Sequence, residues 1–330
     1  MRLATSKMQG LGKSPGFLYI SHPSIMSAVK NVCFAIATVP FLLFSDEPLR
    51  IGFAALHLPS LSTIEQNSDQ YFPPASTFKL ILAVYCLQKE PDLHFKLVLK
   101  NHDLRDGAGI LKSQFREGME CSIRELIELM MIYSDNTATD LLLERCGSPI
   151  HLTEWLRSIG IEEITITNSC FDILASYYGI NHLSPDCTLE IFEAHKQEVS
   201  LIVQQNASQV YLTEMPDRAT PRGMLLFLKK LINNELLSED LKIFLLQCMQ
   251  KSAMGLQRIR KHLPNHLFSC DKEGTLGILA ADVGVILLPD NQSHILIAAY
   301  AYGGSSTQER EDRIAELSLN AYKYFSNQKF

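Results

Sequence analysis

The chain has 330 residues, 46% hydrophobic and 20% charged, the balance of an ordinary globular protein with material for a large core. Its 30 Lys and Arg against 36 Asp and Glu leave a net charge of −6, which gives no reason to expect nucleic acid or an anionic membrane as partner. No Gly-rich phosphate loop, zinc-type Cys/His spacing or internal repeat occurs, so neither a cofactor nor a metal is expected.

Residues 1–25 are basic and rich in Ser, Gly and Pro, as in a loose extension. An apolar run follows at 32–44, with Lys30 before it and Asp46 and Glu47 after it. It is too short for a membrane-spanning helix. Read from Met26 it has the layout of a signal peptide. A packed helix kinked at Pro40 is the alternative for this part of an extension covering 1–47. The eight cysteines are scattered, form no CxxC pair and sit mostly in apolar runs, a usage closer to buried free thiols in a reducing compartment than to a disulfide framework.

From residue 48 the pattern is that of a folded domain. Residues 51–58 read as a buried strand, 61–66 as its hairpin partner and 67–69 as a turn. A helix is expected from about Ala75, because Pro73 and Pro74 are tolerated only at a helix approach or first turn. Apolar residues at helical spacing mark 121–131, and further helices end at Gly147 and Gly160. Residues 161–217 break the pattern, and helical pieces joined by loops are expected there. Two amphipathic helices at 221–232 and 238–251 precede strand-like runs at 267–271, 282–288 and 294–302, then a closing helix at 308–324. This order predicts an α+β fold: an antiparallel sheet built from both chain ends, flanked by helices, with a mainly helical subdomain over 80–255.

Three short stretches carry chemistry. In the first, Ser76 and Lys79 lie three residues apart and so share a helical face. A serine becomes a good nucleophile when a neighbouring base takes its proton, and a lysine serves if desolvation lowers its pKa. The plain alternative is a capping serine beside a surface lysine. The second stretch, Tyr133-Ser134-Asp135-Asn136, breaks two helices. It is either an ordinary inter-helix turn or a proton-relaying hydroxyl beside an amide that binds substrate. The third, Lys272-Glu273-Gly274-Thr275, follows the strand-like run at 267–271. It is either a hairpin turn or a fixed cation beside a glycine that lets backbone approach a ligand closely.

Taken together and in this order, the stretches resemble the class A β-lactamases among the penicillin-recognising serine enzymes. PPASTFKL (73–80), YSDNTATDLLLERCG (133–147) and DKEGTLG (271–277) match the three family motifs, and ATPRGMLLFLKKLINNELLS and RIRKHLPNH extend the likeness to about 48–325, with 161–216 as an exception. The resemblance implies Ser76 as acylated nucleophile and Lys79 as base or part of the proton relay. It implies Ser134 as proton donor to the leaving nitrogen, Asn136 as binder of the substrate amide and Lys272 as anchor for an anionic group. The N–H groups of Ser76 and Thr275, with Gly274 between strand and substrate, would form the oxyanion hole. It further implies a small-molecule β-lactam or peptidoglycan-like substrate, a monomer, and a periplasmic or secreted location.

Two departures from the family stand out. Glu273 occupies the place of a Thr or Ser that contacts the substrate carboxylate. An ionised Glu there would repel that carboxylate, an effect weakened by a pair with Lys272 or an Arg or by a side chain turned outward. The Glu-x-x-Leu-Asn loop that activates the deacylating water is missing. Its interval is about thirty residues longer than expected. Counting from Gly160 lands near Cys170, and counting back from Asp217 lands near Gln204. Asp172 is the nearest acid, with Glu193, Glu198 and Glu214 as alternatives. The leading reading is a serine hydrolase that opens β-lactams or a related amide or ester through an acyl-enzyme. A D,D-peptidase- or esterase-like hydrolase with weak β-lactamase activity, and a catalytically silent binding homologue, are the alternatives.

Overall fold

Successive side chains of a strand point to opposite faces, and in β1 (Arg50–Leu58) both faces are buried from Ile51 onward. Phe53 and Ala55 enter a core with Ile314, Ala321 and Phe325, whereas Ala54 and Leu56 enter a larger core shared with most of the helices. Burial on two sides is why this segment is continuously apolar instead of alternating. The computed structural model describes residues 47–327 apart from 59, 253 and 291, so the possible signal peptide lies outside the described residues.

After β1 come β2 (Thr63–Gln66), a 3-10 turn (Ala75–Thr77), α1 (Phe78–Lys89), β3 (Lys96–Val98), α2 (Leu111–Gln114) and β4 (Glu120–Ser122). Helices α3 (Ile123–Tyr133), α4 (Asn136–Cys146) and α5 (Pro149–Ser158) follow. The obscure interval holds β5 (Ile164–Thr165), α6 (Cys170–Tyr178), α7 (Leu189–Glu198), α8 (Leu201–Glu214) and β6 (Arg218–Ala219). Then come α9 (Pro221–Ile232), α10 (Glu239–Gln250), β7 (Ser269–Leu276), β8 (Leu279–Leu287), β9 (His294–Tyr302) and α11 (Thr307–Asn327).

Local chemistry sets the helix starts. The Ser122 hydroxyl accepts the Glu125 N–H while the Glu125 carboxylate reaches back, a reciprocal cap. Thr220 caps α9, with Pro221 at its first position. At the other end of a helix, Gly179 closes α6 with φ +76°.

The five main strands form one antiparallel sheet in the order β2-β1-β9-β8-β7, so both chain ends contribute to it as expected. One expectation is corrected. Lys272-Glu273-Gly274-Thr275 does not follow a strand but lies inside β7, with Lys272 opposite Val283 and Gly274 opposite Ala281. The turn comes later, at Gly277, whose φ is +54°. Ladder pairing uses backbone groups alone, so a polar run joins an edge strand when its neighbour supplies the partners. The interval 161–217 does consist of helical pieces, and its neck is clamped by β5 pairing with β6. Among the described residues no helix is long and apolar enough to cross a membrane, and the cysteines are free thiols.

Phe53 is fully buried between β1 and α11. Phe53→Ala should cost about 3–5 kcal/mol, whereas Val210→Ala at an exposed site of α8 should stay within about 0.5 kcal/mol. Urea unfolding should show the first as a lowered midpoint with an unchanged slope.

Candidate active site

Three elements meet where the edge strand of the sheet touches the helical region. The nucleophile candidate sits in the turn Ala75–Thr77. Thr77 closes that turn by donating from its hydroxyl to the Pro74 carbonyl at 2.7 Å. Ala75 has φ +44°, a left-handed conformation that costs an alanine energy and is held here immediately before Ser76. The strand reaches the turn only because residue 274 is glycine. A Cβ there would stand 2.9 Å from Ser76 N and 3.0 Å from the Pro74 carbonyl oxygen.

Lys79, in the first turn of α1, is fully buried. Its ammonium donates to the Ser134 carbonyl at 2.6 Å, to Ser134 Oγ at 3.3 Å and to Asn136 Oδ1 at 2.6 Å. Among the described residues the Ser76 hydroxyl makes no hydrogen bond, so the direct Ser76–Lys79 bond expected from their spacing is absent. The sharper pull on the ammonium comes from three acceptors on the opposite wall. Burial lowers the Lys79 pKa, and Lys272 lowers it further. Cys170, Asp135 and Glu273 oppose both.

Ser134 ends α3 in a left-handed conformation, φ +53°, ψ +34°. Asp135 then caps α4 through the Ala138 N–H and gathers the Ile110 and Leu111 N–H groups on its other oxygen. The tie locks the Ser-Asp-Asn turn against the loop at 107–111. Asn136 is fixed at both ends of its amide: its oxygen takes Lys79 and its nitrogen donates to the Asp106 carbonyl at 2.8 Å.

Lys272 approaches from β7, also fully buried. It donates to Ser134 Oγ at 3.1 Å, to the Glu273 carbonyl at 3.0 Å and to Glu273 Oε1 at 2.7 Å. One hydroxyl is therefore shared by two ammonium groups. The anticipated Glu273–Lys272 pair exists. Burial acts to raise the Glu273 carboxyl, but the Lys272 charge and hydrogen bond prevail and hold it below the ordinary glutamate value. Ser252 donates to its second oxygen at 3.1 Å. Thr275 points its hydroxyl towards Arg258, which donates to it at 2.6 Å and also to the carbonyls of Gly274 and Ala281.

Ser76, Lys79, Ser134, Asn136, Lys272, Gly274 and Thr275 thus share one site, but Asp172 has other work. Its Oδ2 accepts the Ser169 hydroxyl at 2.6 Å and the Ser169 N–H at 3.1 Å, a reciprocal cap at the start of α6. Glu198 and Glu214 are exposed. From this interval the start of α6 contributes Cys170, a buried thiol whose pKa burial pushes up. Beneath it Asp140 accepts the Cys170 and Phe171 N–H groups and pairs with Arg105 at 2.9 Å. Asp140 lies four residues after Asn136 on one helix, a spacing that could have marked it. Arg258 opens the stretch RIRKHLPNH, whose sequence carries no local mark of its role. Nothing local marks Ser252.

The Beta-lactamase enzyme family model matches residues 36–325. The extended-spectrum β-lactamase PER-1 of Pseudomonas aeruginosa is 25% identical over 286 residues, 83% of this chain and 82% of that protein. The crystal structure of TLA-3 extended-spectrum β-lactamase superposes with a TM-score of 0.68 at 23% identity, covering 91% of this chain and all of that one. A PBP-A mutant solved as its acyl-enzyme with penicillin G gives 0.68 at 19% identity, over 92% of this chain and 98% of that one. The fold is that of the serine β-lactamases and penicillin-binding proteins. The chain belongs to the β-lactamase enzyme family and is a serine hydrolase of that type.

A neutral amine is the form of Lys79 that can accept a proton. The rate of Ser76 acylation should therefore rise with pH through a titration below the ordinary lysine value of about 10.4. Lys79→Met should remove that limb from the pH–rate profile. The sign for stability follows from the same shift. Between the lowered folded pKa and the unfolded one the unfolded chain binds more protons, so Lys79 makes stability rise with pH across that window.

Proposed function

We propose that this enzyme opens β-lactams, or a related amide or ester, by acylating Ser76. The observation that carries the reading is the convergence of Lys79 and Lys272 on the Ser134 hydroxyl beside the Gly274-pinched Ser76 turn. In the forward step Ser76 Oγ attacks the carbonyl carbon and its proton passes to neutral Lys79. The carbonyl oxygen gains negative charge, which the N–H groups of Ser76 and Thr275 would stabilise. As the C–N bond breaks, Ser134 gives its proton to the leaving nitrogen and is reprotonated by Lys79. Lys272 holds the Ser134 oxygen throughout. Water then cleaves the ester to acid and free Ser76.

The second half is the weaker one. Water needs a base, and in the interval that supplies a glutamate in the class A pattern Asp172 is committed to capping α6 and its neighbour Cys170 is a buried thiol. General-base help contributes about 10²–10⁴-fold, so deacylation should lag and the acyl-enzyme accumulate. This favours a slow β-lactamase, or a D,D-peptidase- or esterase-like hydrolase, over a fast one. Intact-mass measurement after mixing with benzylpenicillin should show one acyl group per chain and a burst of the same size. Ser76→Ala should abolish the adduct, and Asp172→Asn should leave its lifetime unchanged. Rapid burst-free turnover would contradict the missing base, and no adduct with no turnover would favour a silent homologue.

A further inference from the structure

Ion pairing at β7 has a consequence for substrate choice, and it rests on the acyl-transfer reading above. A carboxylate-bearing substrate arriving at the strand would be drawn by Lys272, but Lys272 already holds Glu273 at 2.7 Å and both side chains are buried. Neighbouring cations are committed in the same way. Arg258 pairs with Glu311 at 3.2 Å and Arg260 with Asp271 at 2.7 Å. Across the ladder from Glu273, Asp282 is fully buried and accepts the Ile259 N–H. Arg258, Arg260 and Lys272 thus each have a carboxylate, and the one beside the Ser134 hydroxyl is Glu273.

Glu273 is also fixed in place. One oxygen is on Lys272 and the other on the Ser252 hydroxyl, so turning away would break both bonds inside a buried site. Its charge stays where a substrate anion would have to lie. A second carboxylate there would compete for Lys272 and meet like charge at short range with little water between them, an arrangement that specificity can exploit by rejecting one partner. A substrate without charge at that position loses nothing.

We propose that Glu273 is a specificity-determining residue that turns this site against carboxylate-bearing acyl donors and towards amides and esters uncharged on the β7 side, such as a β-lactam whose carboxyl group is esterified.

Benzylpenicillin and its methyl ester differ only in that charge. Second-order rates of Ser76 acylation should be measured for both by intact mass. In the unaltered enzyme the ester should react faster by about tenfold or more, the scale expected for one like-charge contact. Glu273→Thr, or Glu273→Gln should the first fail to fold, should lower the ester-to-acid ratio by about 10- to 100-fold. Faster reaction with the acid in the unaltered enzyme, or a ratio unmoved in a folded variant, would overturn the proposal while leaving acyl transfer intact. If neither compound acylates Ser76, the acyl-transfer reading fails, and this proposal with it. If no variant folds, the acid-to-ester comparison in the unaltered enzyme decides alone.

Discussion

The hydroxyl of Ser134 lies between two buried ammonium groups, and the rest of the site is arranged to make that tolerable. Taking an ammonium out of water costs on the order of several kcal/mol unless acceptors surround it. Lys79 finds them in the Ser134 carbonyl and the Asn136 amide, Lys272 in Glu273. The outcomes differ. Lys79 has only neutral acceptors in direct contact, so burial dominates and its proton is loosened. Lys272 has a carboxylate in direct contact, Glu273 at 2.7 Å. On the proposed mechanism the two lysines on one oxygen take two jobs, one shuttling protons and one holding position.

Backbone geometry supports the chemistry. The outer edge of β7 can approach the nucleophile turn only through a residue without a Cβ, and the turn itself stores strain at Ala75. Ser134 is likewise held left-handed at a helix end. Such conformations persist because the surroundings over-determine them: Thr77 on Pro74 on one side, Asp135 on Ile110 and Leu111 on the other. Reactive groups are positioned by backbone that has no cheaper place to go.

The long interval between β5 and β6 shows how a fold absorbs extra chain. Asp217 gathers the Thr167 and Asn168 N–H groups, the Asn168 amide and the Tyr211 hydroxyl, tying both ends of the excursion to α8. Between α6 and that knot the chain forms α7 and α8. Because the neck is pinned, the start of α6 still meets the site. It brings a buried thiol, Cys170, and a carboxylate, Asp172, committed to capping α6.

Much of this was legible before any coordinates. Ser76 and Lys79 on one helical face and Ser134 and Asn136 at a break between helices follow from residue type and spacing. It is the resemblance of the three stretches in order that joins them with Lys272 and Gly274 into one site, and the strand around Gly274 was not legible. Apolar pattern marked β1, β8 and β9 as strands, and their order around the helices implied one sheet from both chain ends, as the strand order β2-β1-β9-β8-β7 has it. Other features depend on which distant atoms meet. Lys79 bonds residues 55 and 57 positions away, and Glu273 is fixed by a serine 21 residues earlier. Neither periodicity nor spacing encodes those meetings. They arise when β7 closes on the Ser76 turn and the neck at Asp217 returns the chain to the site. The Glu273–Lys272 pair between sequence neighbours could therefore be anticipated, whereas only tertiary packing decided which distant groups surround Lys79 and hold Glu273.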